Sequence, residues 1–460
     1  MSVTSTAQPG QPAQPGAPAQ QPATPKQSGQ QSGLTVVPAR EDRSLIQRVS
    51  DGIRSWLSGT PGRMRQLMIA GAVTAIVFGI AAAQGFAEAN GALDRADANT
   101  AQLVRIQEIH TNLARADADA TNAFLRGGLE PPAQRQDYLN AMSAASGLIA
   151  DAARSQPADN QALAALNKAV VSYGGLIEQA RANNRQGLPV GAQYLRIASA
   201  GLRADALPLL QNLVKANQDR VQLEFDQVTR GFIWLSVAGL LALGVLGLSL
   251  WWLAKATHRY VNVPVAIGGI AVLLTTVIGA IGLSNVGAAV DNVHDGPYTA
   301  TLSLAQARIA AYDAKSQESL TLISRGSGQA FETAWKASNE KVKQQLGTAA
   351  GVYPAAAQLP GKWDSYVTTH QKIRELDDGG QWKEAVDKAI GTGDDSANTA
   401  FNAFDTSAAQ FLSTNSQQTR SDLSDAGNWL PIARWLSLLV GIAAALCVCW
   451  GFWQRLEEYR

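Results

Sequence analysis

Cysteine is nearly absent. The 460 residues hold two, Cys447 and Cys449, and both lie inside an apolar run. Two apart on a helix, they point to different faces, which excludes a disulfide framework and gives no support to a metal site. Histidine is as sparse: His110, His258, His294 and His370 are scattered, and no two have metal-ligand spacing. Charge is also scarce. Charged residues make up 16% of the chain and the formal net charge is +1, so the basic surplus of a nucleic-acid binder is missing. The signatures GxxxxGK(S/T), HExxH, GxSxG and CxxC do not occur. These absences point to a chain without cofactor, without a nucleic-acid partner and without an enzyme's catalytic site.

Four apolar runs stand out, at 66–86, 231–254, 262–283 and 432–453. Each matches the roughly 20 residues that cross about 30 Å of hydrocarbon as a helix. None has a charged residue at its centre, and Trp234, Trp251, Trp252, Trp435, Trp450 and Trp453 sit near the ends, where aromatic belts form. Arg54, Arg63 and Arg65 precede the first run. Lys255, His258 and Arg259 fill the loop 255–261, and Arg455 and Arg460 lie in the tail 454–460. The positive-inside rule puts these segments in the cytoplasm of a plasma-membrane protein with both termini inside. Residues 87–230 and 284–431 are then extracytoplasmic. Arg434 lies on the outer side, where its long stem lets it snorkel.

Residues 1–40 differ in kind. Up to residue 39 they carry seven prolines, eight glutamines and a single charge, Lys26, too little apolar surface to offset ordering entropy. This reads as a disordered cytoplasmic tail, and it lacks the charged start and apolar core of a secretory signal. In 41–58, Leu45, Ile46, Val49, Ile53, Trp56 and Leu57 recur at helical spacing, with Arg43, Arg48, Asp51 and Arg54 opposite them. This predicts an amphipathic juxtamembrane helix, either a membrane anchor or a partner-docking element.

The order apolar run, long polar segment, apolar run occurs twice, and residues pair between the copies. Leu103, Gln107, Asp119, Arg126 and Gly127 align with Leu302, Gln306, Glu318, Arg325 and Gly326. Ser172, Tyr173 and Arg181 align with Ser365, Tyr366 and Arg374, and Asn217 with Asn415. Repetition of one structural unit is the reading. In the first copy Leu103, Ile106, His110, Leu113, Asp117, Ala120 and Phe124 alternate steps of three and four, a heptad-like seam that breaks at Arg126-Gly127-Gly128. Helices over 133–155 and 158–184 follow, then one from about 188 into the second run with a kink at Pro208. In the second copy the third helix holds Trp363 and Tyr366, the fourth starts after Gly391 and Gly393, and Gly296-Pro297 bends the first. The fold class is therefore all-α: an integral membrane protein with four transmembrane helices and two tandem extracytoplasmic four-helix-bundle domains.

The pair His110 and Asp117 shares the seam and reads as a buried hydrogen-bonded couple or a pH-tuned packing contact. Arg126 and Arg325 occupy matching helix ends, where they face a partner or satisfy terminal carbonyls. Tyr173, Arg181, Tyr366 and Arg374 lie on the third helices and are candidates for a docking surface, since Tyr and Arg are enriched at interface hot spots, or are ordinary amphipathic packing. Glu457, Glu458, Tyr459 and Arg460 are candidates for a cytoplasmic contact.

One stretch runs Ala305-Gln306-Ala307-Arg308-Ile309-Ala310-Ala311 and on to Glu318-Ser319-Leu320-Thr321-Leu322-Ile323-Ser324-Arg325-Gly326. The chain ends Trp453-Gln454-Arg455-Leu456-Glu457-Glu458-Tyr459-Arg460. These stretches, and the layout over 41–460, resemble the actinobacterial four-span membrane proteins of the GlnX family. The resemblance implies a relay of aspartate- or glutamate-type amino-acid availability from an extracytoplasmic solute-binding lipoprotein to a cytoplasmic serine/threonine kinase. It supplies no ligand-pocket motif. A homo-oligomer is compatible with it. Two other classes compete. A structural envelope scaffold predicts no cytoplasmic response to outside solutes, and a pore or transporter subunit predicts a solute flux. The apolar runs hold only sparse polar residues such as Thr74, Gln84, Thr275 and Thr276, which speaks against the latter.

Overall fold

The computed structural model describes residues 59–257 and 261–457. The tail 1–40, the juxtamembrane segment 41–58 and Glu458, Tyr459 and Arg460 lie outside the described residues. Glu457 is the exposed last residue of its helix. Among the described residues there is no strand.

The first half runs α1 (Gly59–Leu125), α2 (Pro132–Ser155), α3 (Asn160–Arg185), α4 (Val190–Gly201) and α5 (Leu207–Thr257). The second runs α6 (Val263–Val293), α7 (Thr299–Ile323), α8 (Gln329–Val352), α9 (Leu359–Asp378), α10 (Trp382–Ile390), α11 (Ala397–Gly427) and α12 (Leu430–Glu457). Among the described residues, four composite helices are long and apolar enough to cross a membrane: Pro61–Leu125, Val190–Ala256, Val263–Ile323 and Ala397–Glu457. They contain the four apolar runs. Ile76, Val77, Leu240, Leu241, Ile278, Leu439 and Leu446 point away from the chain on these segments, an apolar girdle that suits lipid rather than water.

Two composite helices pass through π-helical turns instead of sharp kinks. Leu202–Ala206 joins α4 to α5 just before Pro208, and His294–Tyr298 joins α6 to α7 around Pro297. Proline removes one intrahelical donor, and a wide turn absorbs the misfit. The Asn415 amide and the Thr301 hydroxyl both donate to the Pro297 carbonyl and fix the turn against α11. Between the second and third helices of each half, a 3-10 turn opens on proline, at Pro157–Asp159 and Pro354–Gln358.

The second half departs from the expected four-helix plan. It carries an additional short helix, α10, between the Gly379-Gly380 turn and α11. The turn needs a left-handed residue, and Gly380 supplies it at φ 78°. The α11 start is capped by Ser396, whose hydroxyl accepts from the Thr399 N–H at 3.2 Å.

Three apolar cores result. One lies among the apolar segments, and one in each polar half. The polar halves share a wall. Ala114, Ala118 and Leu125 of α1 belong to the second half's core, and Leu320 of α7 belongs to the first half's. Alanine at 114, 118, 307, 310, 311 and 314 lets α1 and α7 approach closely enough to interlock.

Candidate functional site

At the end remote from the apolar segments, the tips of α1, α7 and α10 and the α3–α4 turn surround a cleft of about 1250 Å³. About 40 residues of α1 separate this end from the first apolar run, roughly 60 Å of helix. The chain leaves α1 through Gly127 and Gly128, at φ 63° and 65°, and α7 through Arg325 and Gly326, at φ 39° and 83°. Arg325 is the one non-glycine with positive φ among the described residues, a conformation held by its surroundings. Its guanidinium lies 4.2 Å over the Trp382 ring, whose indole N–H donates to the Leu322 carbonyl at 2.8 Å. Arg126 donates to the Ile390 carbonyl at 3.3 Å. Three cations (Arg126, Arg325 and Lys383) and one carboxylate (Asp387) line the cleft. Leu129 stands 85% exposed on its rim beside exposed Leu188. A basic cleft with apolar rims is suited to an acidic group carried on an apolar surface.

The other sequence candidates do not join it. Tyr173 and Tyr366 are 2% and 0% exposed. Their rings fill the two polar cores, so neither can be part of a docking surface as expected. The Tyr173 hydroxyl faces Asp117 at 3.4 Å, and the Tyr366 hydroxyl accepts from the Trp335 indole at 3.4 Å. Arg181 is held inside, paired with Glu130 and lying 5.0 Å over the Tyr138 ring. Arg374 is committed to Asp377 and Asp378, each at 2.6 Å. Of the six candidates, the fold brings only Arg126 and Arg325 together on an open surface.

Sequence reading missed the depth of the Asp117 network. Asp117 is 1% exposed. It accepts from the hydroxyls of Ser199 and of Ser316 (2.6 Å) and pairs with Arg203 at 3.1 Å. Arg203 also pairs with Asp313 at 2.8 Å, and Asp313 accepts from Ser338 at 2.8 Å. One carboxylate on α1 thereby ties the first half to α7 and α8 of the second. His110 is not bonded to Asp117. Burial, with Lys341 nearby, pushes its ring down to about 4 and keeps it neutral.

The second half holds its own buried cluster. The Lys315 ammonium donates to Glu318 at 2.7 Å and to the Ala389 carbonyl of α10 at 3.2 Å. The His370 ring nitrogens face Glu318 at 2.9 Å and Glu332 at 3.3 Å, and the ring stacks 3.6 Å from Trp335. Burial alone would lower the His370 pKa, but the hydrogen bonds to the two carboxylates outweigh it and raise it. Burial would raise Glu318, yet Lys315 and His370 hold it down at about 2. A raised histidine stabilises the fold fully below its unfolded value near 6.5, and that contribution is lost as pH rises through the folded pKa. A depressed carboxylate contributes stability that is fully present above its unfolded value near 4.5 and is lost only as pH falls below it, at the acid end. Wild type is therefore expected to exceed His370→Gln in thermal stability most at pH 5–6.5 and progressively less at higher pH. A difference between the two proteins that stays constant from pH 5.5 to 9 in thermal melts would contradict an imidazolium in this cluster.

Among the described residues, no group of three or more His, Cys, Asp or Glu is placed to hold a metal ion. Compared with known proteins, residues 92–226 match the family model of the actinobacterial sensor domain. No curated protein matches the chain, and no solved structure matches it. The matched segment begins beyond the first apolar run and ends before the second, so the similarity to an actinobacterial sensor domain lies in the polar helices of the first half.

Proposed function

We propose that this protein is a non-enzymatic transmembrane sensor-transducer whose signal enters at the basic cleft. One observation carries the reading. Helix α1 runs unbroken from the cleft through the first apolar segment, so its cleft end and its opposite end belong to one rod. A partner that prefers one position of α1 against α7 shifts that equilibrium at both ends. The sensor-domain match over 92–226 supports the same class. The basic flanks of the apolar runs favour an extracytoplasmic cleft with cytoplasmic termini. The resemblance to the GlnX family names the finer relay: an amino-acid-binding lipoprotein outside and a serine/threonine kinase inside.

Crosslinking the full chain in native membranes and identifying the captured proteins tests this. The Arg126→Glu, Arg325→Glu double variant is expected to lower capture of the solute-binding lipoprotein at least about tenfold, the equivalent of about 1.4 kcal/mol. Exposed side chains are reversed, so the fold should persist by circular dichroism. Undiminished lipoprotein capture by the folded double variant would remove the cleft from the reading. Capture of envelope-assembly proteins alone would make the chain a scaffold.

A further inference from the structure

A second cavity, of about 630 Å³, lies where α1, α2, α7 and α11 meet. Three helical faces build it at spacings of three and four: Arg115, Asp119 and Asn122 on α1, Gln134 and Asp137 on α2, and Asn398, Asn402 and Asp405 on α11. Its polar groups are unevenly matched. Asp119 Oδ2, Asn122 Oδ1 and Gln134 Oε1 are each covered from solvent and accept no hydrogen bond. A covered acceptor left unmet is costly, so three in one place is an unusual concentration.

The donors closest in charge and reach do not meet these oxygens. Arg308 and Tyr312 serve Asp405, at 2.8 and 2.7 Å. Lys315 serves Glu318 and the Ala389 carbonyl. The Asn122 amide donates to Asn398 at 3.0 Å. Arg115 approaches Asp119 Oδ2 only to 3.6 Å, beyond hydrogen-bond length. Arg115 and Lys315 set two positive charges on the lining against the three carboxylates Asp119, Asp137 and Asp405, and neither cation gives the three unmet oxygens an N–H bond. We propose that it binds an organic cation bearing N–H groups, an ammonium or guanidinium, with Asp119 as the counter-charge and Asn122 and Gln134 as further acceptors. The terminal torsions of these three side chains are broad, so small rotations turn their oxygens onto a donor in the cavity. Ile390, Gly391 and Thr392 line this cavity and the basic cleft alike, so occupancy here bears on the segment that Arg126 holds.

The carboxyl of Asp119 agrees with this role. Burial pushes it up to about 7, against the opposing pull of Arg115, with Asp137 and Asp405 adding to the rise. Of the other groups facing it, Lys315 is engaged with Glu318, Arg115 stays cationic against the cost of burial, and burial together with Asp405 lifts Tyr312 far above its ordinary range. A bound cation is the charge that would return Asp119 to its ionised form.

The test uses the full chain in nanodiscs of zwitterionic lipid with radiolabelled agmatine, which carries an ammonium and a guanidinium. Saturable binding is expected, tightening as pH rises from 6 to 8 while Asp119 loses its proton. Asp119→Asn should weaken it at least about tenfold and flatten the pH dependence. Asp219→Asn, which removes an exposed carboxylate elsewhere, should not. Tetramethylammonium, a cation without N–H donors, should fail to displace agmatine. Asn122→Leu serves as a second variant, read against its own melting curve, and should also weaken binding. No saturable binding, unchanged binding by Asp119→Asn, or equal displacement by tetramethylammonium would each overturn the proposal.

Discussion

Replacing Asp117 with alanine is expected to destabilise the polar helices by about 3 kcal/mol or more, the usual cost of breaking a buried ion pair by deleting one partner. The substitution leaves Asp313 as the carboxylate paired with the Arg203 guanidinium and takes the acceptor away from the hydroxyls of Ser199, Ser316 and Tyr173. The effect reaches both halves, because Ser316 and Asp313 belong to α7 while Ser199 and Tyr173 belong to the first half. Asp117→Asn keeps an acceptor of the same shape and should cost less. Combining Asp117→Leu with Arg203→Met removes both charges and should recover much of the loss, since apolar replacement of a buried pair is often neutral. Thermal and denaturant melts followed by circular dichroism read all three. Alanine melting like wild type would mean that the two halves are held together by the α1–α7 apolar wall alone.

The second large effect concerns the apolar segments. Helix α1 meets α12 at Gly79 and Gly441, and α5 at Gly85 and Gly231. A Cβ on Gly441 would stand 2.7 Å from the Gly79 Cα and 2.8 Å from the Ala75 carbonyl. One on Gly231 would stand 2.5 Å from the Gly85 carbonyl. These obstacles are backbone, which no rotamer change relieves, so the helices must separate. In lipid there is little hydrophobic drive between helices, and such close backbone approach supplies the packing. Gly441→Ala and Gly231→Ala are each expected to cost about 1–3 kcal/mol, in the range of overpacked cores. The corresponding leucine variants should fail to accumulate as folded protein. Size-exclusion profiles and melting curves in detergent decide this, and a well-folded Gly231→Leu protein would be incompatible with the α1–α5 contact.

The failure of the tyrosine reading is instructive. Tyr173 and Tyr366 share a position in the aligned copies, and their residue type favours interfaces. The same amphipathic character lets a tyrosine sit in a core when a partner waits for its hydroxyl, and here Asp117 and Trp335 are those partners. Periodicity along α3 and α9 marks a buried face but says nothing about what lies opposite. Helix α10 went unread because nine residues between glycine-rich turns give too short a window for a helical period. Arg126 and Arg325 were legible because a helix that stops at Arg-Gly places the arginine at its tip.

The sequence by itself determined the all-α class, the four apolar segments, the breaks at Gly127 and Gly326 and the disturbances near Pro208 and Pro297. Each follows from local chemistry: apolar length, helical period, or the missing donor of a proline. Only the tertiary structure decided that the two polar halves share the α1–α7 wall, that Asp117 joins them through Ser316, 199 residues away in the chain, and that Arg126 and Arg325 face one cleft while unmatched acceptors gather in another cavity. Those features depend on side chains far apart in sequence meeting at distances of a few ångströms, and no local pattern encodes which partner a buried face will meet.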